Sequence, residues 1–446
     1  MNTGEGRTIY FLGIGGIGMS ALARYYHSLG YNIAGYDRTP SPLTKQLENE
    51  GMAIHYEDKP EKLPALIEIA IYTPAVPASL NELKTLQQRN IPILKRSEAL
   101  GKITEKLFTI AVAGTHGKTT TTAMTAHIAN ECGKATTAFI GGIANNFNSN
   151  LLLSRNDTEV LVVEADEYDR SFLRLHPNIS IINSIDADHL DIYGDRQHLV
   201  EGFNQFASLA EQTNIVKEGL AINCSNCIRF GFGENCDYQA RITKSERGIT
   251  EFTITAEGLT TKVSLPMAGK YNVLNATAAF AAARQIGLDA EQIAQALFTF
   301  KGVKRRFDIR FNSEKHCYID DYAHHPEEIR SCLSAVRDSF HDKKITLVFQ
   351  PHLYSRTRDF MDDFAEVLAM ADELILLDIY PAREAPIEGI TSEVLLEKTR
   401  LANKKICTKA ELMNLIGTEK PELLVTMGAG DIDRFVEPLQ ELIATW

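Results

Sequence analysis

The stretch Leu107-Phe-Thr-Ile-Ala-Val-Ala-Gly-Thr-His-Gly-Lys-Thr-Thr-Thr121 decides how this chain is read. Leu107 to Val112 is a short apolar run of the kind that forms a buried strand. A glycine turn follows, and a helix is expected from about Thr119. A strand end, a glycine turn, a lysine and a hydroxyl at a helix start are the parts of a phosphate loop. Backbone amides and the helix dipole hold phosphates, Lys118 reaches the β and γ oxygens, and Thr119 offers a hydroxyl to magnesium. The candidates for nucleotide binding are therefore Gly114, Thr115, His116, Gly117, Lys118, Thr119 and Thr120. A strict P-loop has glycine five residues before Gly117, where this chain has Val112, so the loop is a variant. The alternative is a polar helix cap without a ligand.

Working outward, the apolar strands Val160–Val163 and Ile179–Ile182 continue an α/β pattern. Glu164 emerges at the end of the first, beside the phosphate loop, where a magnesium-binding carboxylate belongs. Asp188-His189-Leu-Asp191 follows the second and reads either as a further metal or phosphate contact or as a loop hydrogen bond. Upstream, Thr8–Leu12, a glycine turn, a helix over Ser20–Leu29 and a strand over Tyr31–Tyr36 form a βαβ unit. Its turn is Gly13-Ile-Gly15-Gly16-Ile-Gly18, a G-x-G-x-x-G suited to a diphosphate, with Asp37 placed to accept from a ribose hydroxyl. That motif does not separate a nicotinamide cofactor from another nucleotide diphosphate, and a packing turn with a solvent-facing Asp is the alternative. Downstream, strands at His316–Ile319, Ile345–Phe349, Glu373–Leu377 and Leu423–Thr426 alternate with helices over Pro326–Ser339 and Phe360–Met370. The expected architecture is α/β with three consecutive α/β domains, at 1–104, 105–302 and 303–446. The first and third are Rossmann-like and the central one is of P-loop type.

The length of 446 residues agrees with about three domains at roughly 150 residues each. Lys and Arg number 46 against 58 Asp and Glu, giving a net charge of −12, which disfavours a nucleic-acid partner. No secretion signal or membrane-length apolar run is visible, so no membrane partner and a cytoplasmic location are expected. Seven scattered cysteines suit free thiols better than a disulfide framework, and Cys224-Ser-Asn-Cys227 lacks the second pair that a zinc site needs. Nothing in the composition fixes an oligomeric state.

Three blocks together carry a resemblance: Gly114-Thr-His-Gly-Lys-Thr-Thr-Thr121, Glu164-Ala-Asp-Glu-Tyr-Asp169 and Asp188-His-Leu-Asp191. They resemble the Mur ligases of peptidoglycan synthesis. Further blocks extend it along the whole chain: Lys270-Tyr-Asn-Val-Leu-Asn-Ala276, Arg305-Arg-Phe307, Asp320-Asp-Tyr-Ala-His-His-Pro326, Gln350-Pro-His-Leu-Tyr-Ser-Arg-Thr-Arg358 and Asp378-Ile-Tyr-Pro-Ala-Arg-Glu384. The resemblance implies a UDP-sugar domain, a central ATPase and a carboxyl-terminal domain that brings the amino acid. It implies ATP and Mg2+, with UDP-N-acetylmuramate and L-alanine as substrates joined through an acyl phosphate.

Carried onto matching positions, the resemblance places Lys118 and Thr119 on ATP phosphates and magnesium, and Glu164 and His189 on magnesium. Asn272 and Asn275 then serve the adenine, Arg305 or Arg306 the phosphates, and Asp320 or Asp321 the ribose. Gly13, Gly15, Gly16, Gly18 and Asp37 become the UDP site. Tyr322, His324, His325 and Arg356 lie near the alanine, with His189 or His325 as candidate base. Without the resemblance, Arg305-Arg306 reads as a solvated pair, and Asp320-Asp321 with His324-His325 as a polar loop. The chain departs from family patterns in three places: no lysine occurs from Leu190 to Val216 to supply a carbamylated ligand, Tyr271 replaces a histidine, and Leu353 replaces an arginine. The alternatives are a ligase that recycles a preformed murein tripeptide and, in another class, a nicotinamide-dependent dehydrogenase.

Overall fold

A computed structural model describes residues 6–186, 196–382 and 384–446. Three sheets organise the chain. The first contains β1 (Thr8–Leu12), β2 (Asn32–Tyr36), β3 (Ala53–His55), β4 (Ile69–Tyr72) and β5 (Ile93–Lys95) in the order β3-β2-β1-β4-β5. Every pairing in it is parallel, as in a Rossmann sheet. Parallel strands need covered faces. Accordingly Ile9, Tyr10, Phe11 and Leu12 are all buried in β1.

The second sheet has ten strands: β6 (Thr109–Ala113), β7 (Thr136–Ala144), β8 (Ser149–Leu152), β9 (Val160–Glu164), β10 (Ile179–Ile182), β11 (Thr213–Lys217), β12 (Cys227–Gly231), β13 (Tyr238–Glu246), β14 (Ile249–Ala256) and β15 (Leu259–Leu265). Their order is β15-β14-β13-β12-β11-β10-β6-β9-β7-β8. β6 is central, flanked in parallel by β9 and β10, so the residues that follow all three emerge at one sheet edge. The helix Lys118–Glu131 is buried continuously from Thr119 to Ala129. Its small Thr and Ala side chains fit that confined position.

The third sheet comprises β16 (Asp308–Asn312), β17 (Cys317–Asp321), β18 (Ile345–Phe349), β19 (Glu373–Leu376), β20 (Lys404–Ile406) and β21 (Leu423–Met427), in the order β16-β17-β21-β18-β19-β20. It is parallel except for the antiparallel edge pair β16 and β17.

The chain packs as two compact units. One contains Met1–Ala240, Ile254–Thr261 and Leu274–Leu297, and the other Arg241–Thr253, Lys262–Val273 and Phe298–Trp446. The first unit thus holds the whole first sheet and the phosphate-loop part of the second. Cys224 and Cys227 lie near each other with Cα atoms 5.6 Å apart, and the other five cysteines are free. Among the described residues no helix is long and apolar enough to cross a membrane.

Candidate active site

In the first unit the two glycine loops lie at strand ends, and each opens a helix. Gly13 has φ +83°, and a methyl group there would come within 2.7 Å of the Thr73 methyl. Gly15 donates its amide to Asp37 Oδ2 at 2.8 Å, and Asp37 Oδ1 accepts from Thr39 N at 3.2 Å. Asp37 therefore fixes the loop from the end of β2, and the ribose contact expected of it would be made in addition. Gly16 caps the helix Ile17–Ser28, whose first turn contains Gly18 and no acidic residue. The first-turn amides of a helix have no intrahelical acceptors and are disposed to meet an anion.

The second loop is built around a lysine. Gly114 (φ +142°) and Gly117 (φ +79°) bracket Thr115 and His116 in a conformation that β-carbons resist. A methyl group on Gly117 would collide with the Asn275 side-chain oxygen, so Asn275 lies against the loop. Thr115 Oγ1 meets Ser184 Oγ at 3.0 Å and accepts from Asp186 N at 3.0 Å, while His116 N donates to Ser184 Oγ at 2.7 Å. The helix begins at Lys118, one residue earlier than expected, with Thr119 and Thr120 buried in its first turn. Lys118 Nζ bonds Gly114 O at 2.6 Å and Glu167 Oε1 at 2.8 Å. Burial works against the ammonium charge, but Glu167, Glu164 and Asp166 outweigh it and raise the pKa, keeping Lys118 protonated. Burial likewise raises the Glu167 carboxyl, with Lys118 opposing the rise.

Glu164 is the last residue of β9, and its Oε2 accepts from Gly141 N at 2.9 Å. Glu167, three residues on and immediately before a 3₁₀ turn over Tyr168–Arg174, was not singled out by the sequence reading. Its signal was present in the acidic block after β9, yet sequence does not reveal which carboxylate turns inward. His189, with Asp188 and Asp191, lies outside the described residues. No group of three or more His, Cys, Asp or Glu side chains is poised for a metal among the described residues.

The second unit brings the remaining candidates together. Asn272 opens the helix Lys270–Gln285, donating its side-chain nitrogen to Ala268 O at 2.7 Å, one turn before Asn275. Tyr271 is deeply buried, and desolvation pushes its hydroxyl pKa up. Asp320 and Asp321 end β17. Arg305 Nε reaches Asp320 Oδ2 at 3.2 Å, and Thr426 Oγ1 donates to Asp320 Oδ1 at 2.6 Å. Asp321 accepts from Phe307 N at 2.6 Å and Ala323 N at 2.8 Å, and burial raises its pKa to about 6. The Arg305 and Arg306 guanidinium carbons each lie 5.2 Å from the Tyr322 ring centre, a cation–π clamp. The Arg305-Arg306 pair is thus structured by Asp320 and Tyr322.

His324 Nδ1 faces Tyr322 O at 3.0 Å, and its ring approaches His352 with centroids 5.9 Å apart. His325 caps the helix Pro326–Ser339 and packs on Phe360 at 4.6 Å. Arg356 lies in the short helix Tyr354–Asp359, with its Nη1 buried and lacking a hydrogen-bond partner among the described residues. His352, also not singled out by sequence, stacks on Tyr380 at 5.7 Å, and its Nδ1 is buried without a partner among the described residues. Burial, with His324 and Arg356 nearby, lowers its pKa to about 4. Leu353 holds φ +72° beside it.

Three domain families match this chain in order. The Mur ligase family catalytic domain covers residues 8–107, the Mur ligase middle domain 112–283 and the Mur ligase glutamate ligase domain 305–430. This chain belongs to the Mur ligase family. Among curated Mur ligases, the UDP-N-acetylmuramate–L-alanine ligase of Cytophaga hutchinsonii is 45% identical over 99% of this chain and 98% of its own. That of Flavobacterium psychrophilum is 48% identical over 98% of both chains. The crystal structure of UDP-N-acetylmuramate-alanine ligase MurC from Thermotoga maritima has a TM-score of 0.85 at 29% identity, over 97% of this chain and 99% of that one. A murein peptide ligase from Psychrobacter arcticus shares the fold, with a TM-score of 0.71 at 23% identity over 99% and 98% of the two chains.

Proposed function

We propose that this Mur ligase joins L-alanine to the carboxylate of UDP-N-acetylmuramate, consuming ATP, and acts in peptidoglycan precursor synthesis in the cytoplasm. One observation carries the reading: L-alanine ligases match nearly the full length of the chain at up to 48% identity. The dehydrogenase alternative gives no role to Lys118, Thr119 and Glu164. The domain division at 1–104, 105–302 and 303–446 is part of this proposal.

A carboxylate does not couple to an amine in water without activation. The muramyl carboxylate oxygen attacks the γ-phosphorus, the bond to the bridging oxygen of ADP breaks, and an acyl phosphate forms. The alanine amine, having lost a proton, then attacks the acyl carbon and phosphate leaves. Lys118, kept protonated by its acidic neighbours, neutralises charge building on the phosphoryl oxygens. The first amides of the helix that opens at Lys118 are available to the same phosphates, and Asn275 sits against the glycine turn before it. The Thr119 hydroxyl and the Glu164 carboxylate are hard oxygen donors suited to magnesium, and His189 completes the proposed set. When bound, the metal offsets phosphate charge. In the second unit, Arg356 offers an unpartnered donor for the alanine carboxylate, within the His324, His325 and Tyr322 group.

The test is product formation. Mass spectrometry of a reaction with ATP, magnesium and UDP-N-acetylmuramate is expected to show the alanyl adduct with L-alanine. Product with L-alanyl-γ-D-glutamyl-diaminopimelate but not with L-alanine would overturn the assignment in favour of tripeptide recycling.

A further inference from the structure

Two arginines lie at the helix that follows the first glycine loop, Arg24 on it and Arg96 against its first turn, and they are held differently. Arg24 is spent: Nε and Nη2 bond the two oxygens of Glu50 at 2.7 and 2.9 Å, and Nη1 bonds Asn150 Oδ1 at 2.7 Å. Asn150 in turn donates to Ser20 Oγ at 2.9 Å, so Arg24 is a buried structural tie. Arg96 is not spent. Its hydrogen bond among the described residues is a single one, from Nη2 to Asp166 Oδ2 at 3.2 Å, and its side chain is 28% exposed. A guanidinium has five N–H donors in a planar fork, so most of this one is left for another acceptor.

The position of that fork is the second observation. A methyl group on Gly18 would come within 2.5 Å of Arg96 Nη1, so the guanidinium lies directly over the last glycine of the G-x-G-x-x-G. Gly18 is in the first turn of its helix, whose first amides have no intrahelical acceptors. Arg96 is also the first residue of its own helix, Arg96–Thr104, where the helix dipole disfavours a cation. An anion between the two helix starts would remove that conflict. Asp166 is itself fixed, its Oδ1 accepting from Tyr168 N at 3.1 Å, and it sits two residues beyond the end of β9.

We propose that Arg96 is a ligand of the diphosphate of the UDP-sugar, aimed by Asp166 over Gly18. This rests on the ligase reading above and adds a charged donor to a loop that otherwise offers only amides. Asp166 directly precedes Glu167, the ion-pair partner of Lys118, so the arginine is anchored to the segment that also holds the lysine of the second loop.

Calorimetric titration of the full chain with UDP and with UDP-N-acetylmuramate tests it. Arg96→Ala is expected to weaken both ligands roughly tenfold, the scale of a lost charge-assisted hydrogen bond, with Arg96→Lys recovering part of the loss. In steady state the same variant raises KM for UDP-N-acetylmuramate by about the same factor and leaves KM for ATP unchanged. Asp166→Asn removes the charge that aims the guanidinium but keeps Arg96 itself, and UDP affinity is expected to fall only about twofold to threefold, less than with Arg96→Ala. Should Arg96→Ala fail to fold, Arg96→Gln is titrated in its place. Parent-like affinity of the Arg96 variants overturns the proposal. So does equal weakening by Arg96→Ala and Asp166→Asn with equal loss of melting temperature, which marks the pair as a structural staple only. Failure of the unaltered chain to bind either UDP ligand overturns the ligase reading itself, a result distinct from both.

Discussion

The two glycine loops of the first unit share a plan and differ in what holds them. Each follows a buried parallel strand, places a glycine at positive φ and opens a helix. The Gly13–Gly18 loop is fixed by a carboxylate, Asp37, bonded to the Gly15 amide. The Gly114–Gly117 loop is closed over a lysine whose ammonium binds both the Gly114 carbonyl and Glu167. A loop that only holds a diphosphate can rely on amides and a peripheral cation. On the proposed assignment, the loop that stabilises charge moving during reaction is the one with a fixed ammonium at its centre.

The largest effect that would break this comparison is at the lysine. Lys118→Met is expected to lower turnover on the order of a thousandfold, as loss of a transition-state charge partner does. It should also destabilise by about 3–5 kcal/mol, because the buried Glu167 loses the ammonium that Lys118 places against it. Adding Glu167→Gln should restore much of the melting temperature and none of the activity. Recovery of activity in the double variant would reduce Lys118 to a structural role.

Next in size, Gly117→Ala and Gly13→Ala should each cost roughly 1–3 kcal/mol in thermal or denaturant unfolding, because both positions have positive φ and crowded space. The comparison is sharpened by kinetics: the first should raise KM for ATP and the second KM for UDP-N-acetylmuramate. Smaller again, Asp37→Asn should raise KM for the UDP-sugar about threefold to tenfold while sparing ATP, since one charge-assisted bond to Gly15 is weakened.

The smallest expected effect lies in the second unit. His352 is held near a pKa of about 4 by burial, His324 and Arg356, and burial lowers His324 as well. A histidine whose folded pKa is depressed contributes stability that is present above its unfolded pKa near 6.5 and lost as pH falls toward the folded value. The melting temperature should therefore fall between pH 6.5 and 4. His352→Gln should flatten that window, and an unchanged slope would contradict the burial argument.

Both loops were legible because glycine and lysine at strand-to-helix junctions carry local signals, and apolar runs such as Ile110–Val112 and Val160–Val163 mark strands without a partner being known. Strand β9 proved to include Glu164, a boundary shift set by hydrogen bonding more than by composition. The strands from Thr213 to Leu265 were not read. They include β14, Ile249-Thr-Glu-Phe-Thr-Ile-Thr-Ala256, whose alternating burial is a period-two signal that could have been found. Glu167, His352 and Arg96 were not legible at all. Their roles depend on which way a side chain turns in a fold built from distant segments, as when Arg96 meets Gly18.

The central claim is that the muramyl carboxylate is activated by phosphorylation before alanine attacks. It is tested most directly with UDP-N-acetylmuramate labelled with oxygen-18 in that carboxylate, with ATP, magnesium and L-alanine. Because the attacking oxygen leaves with phosphorus, each released phosphate should carry one labelled oxygen. Unlabelled phosphate alongside full product formation would contradict the acyl-phosphate route.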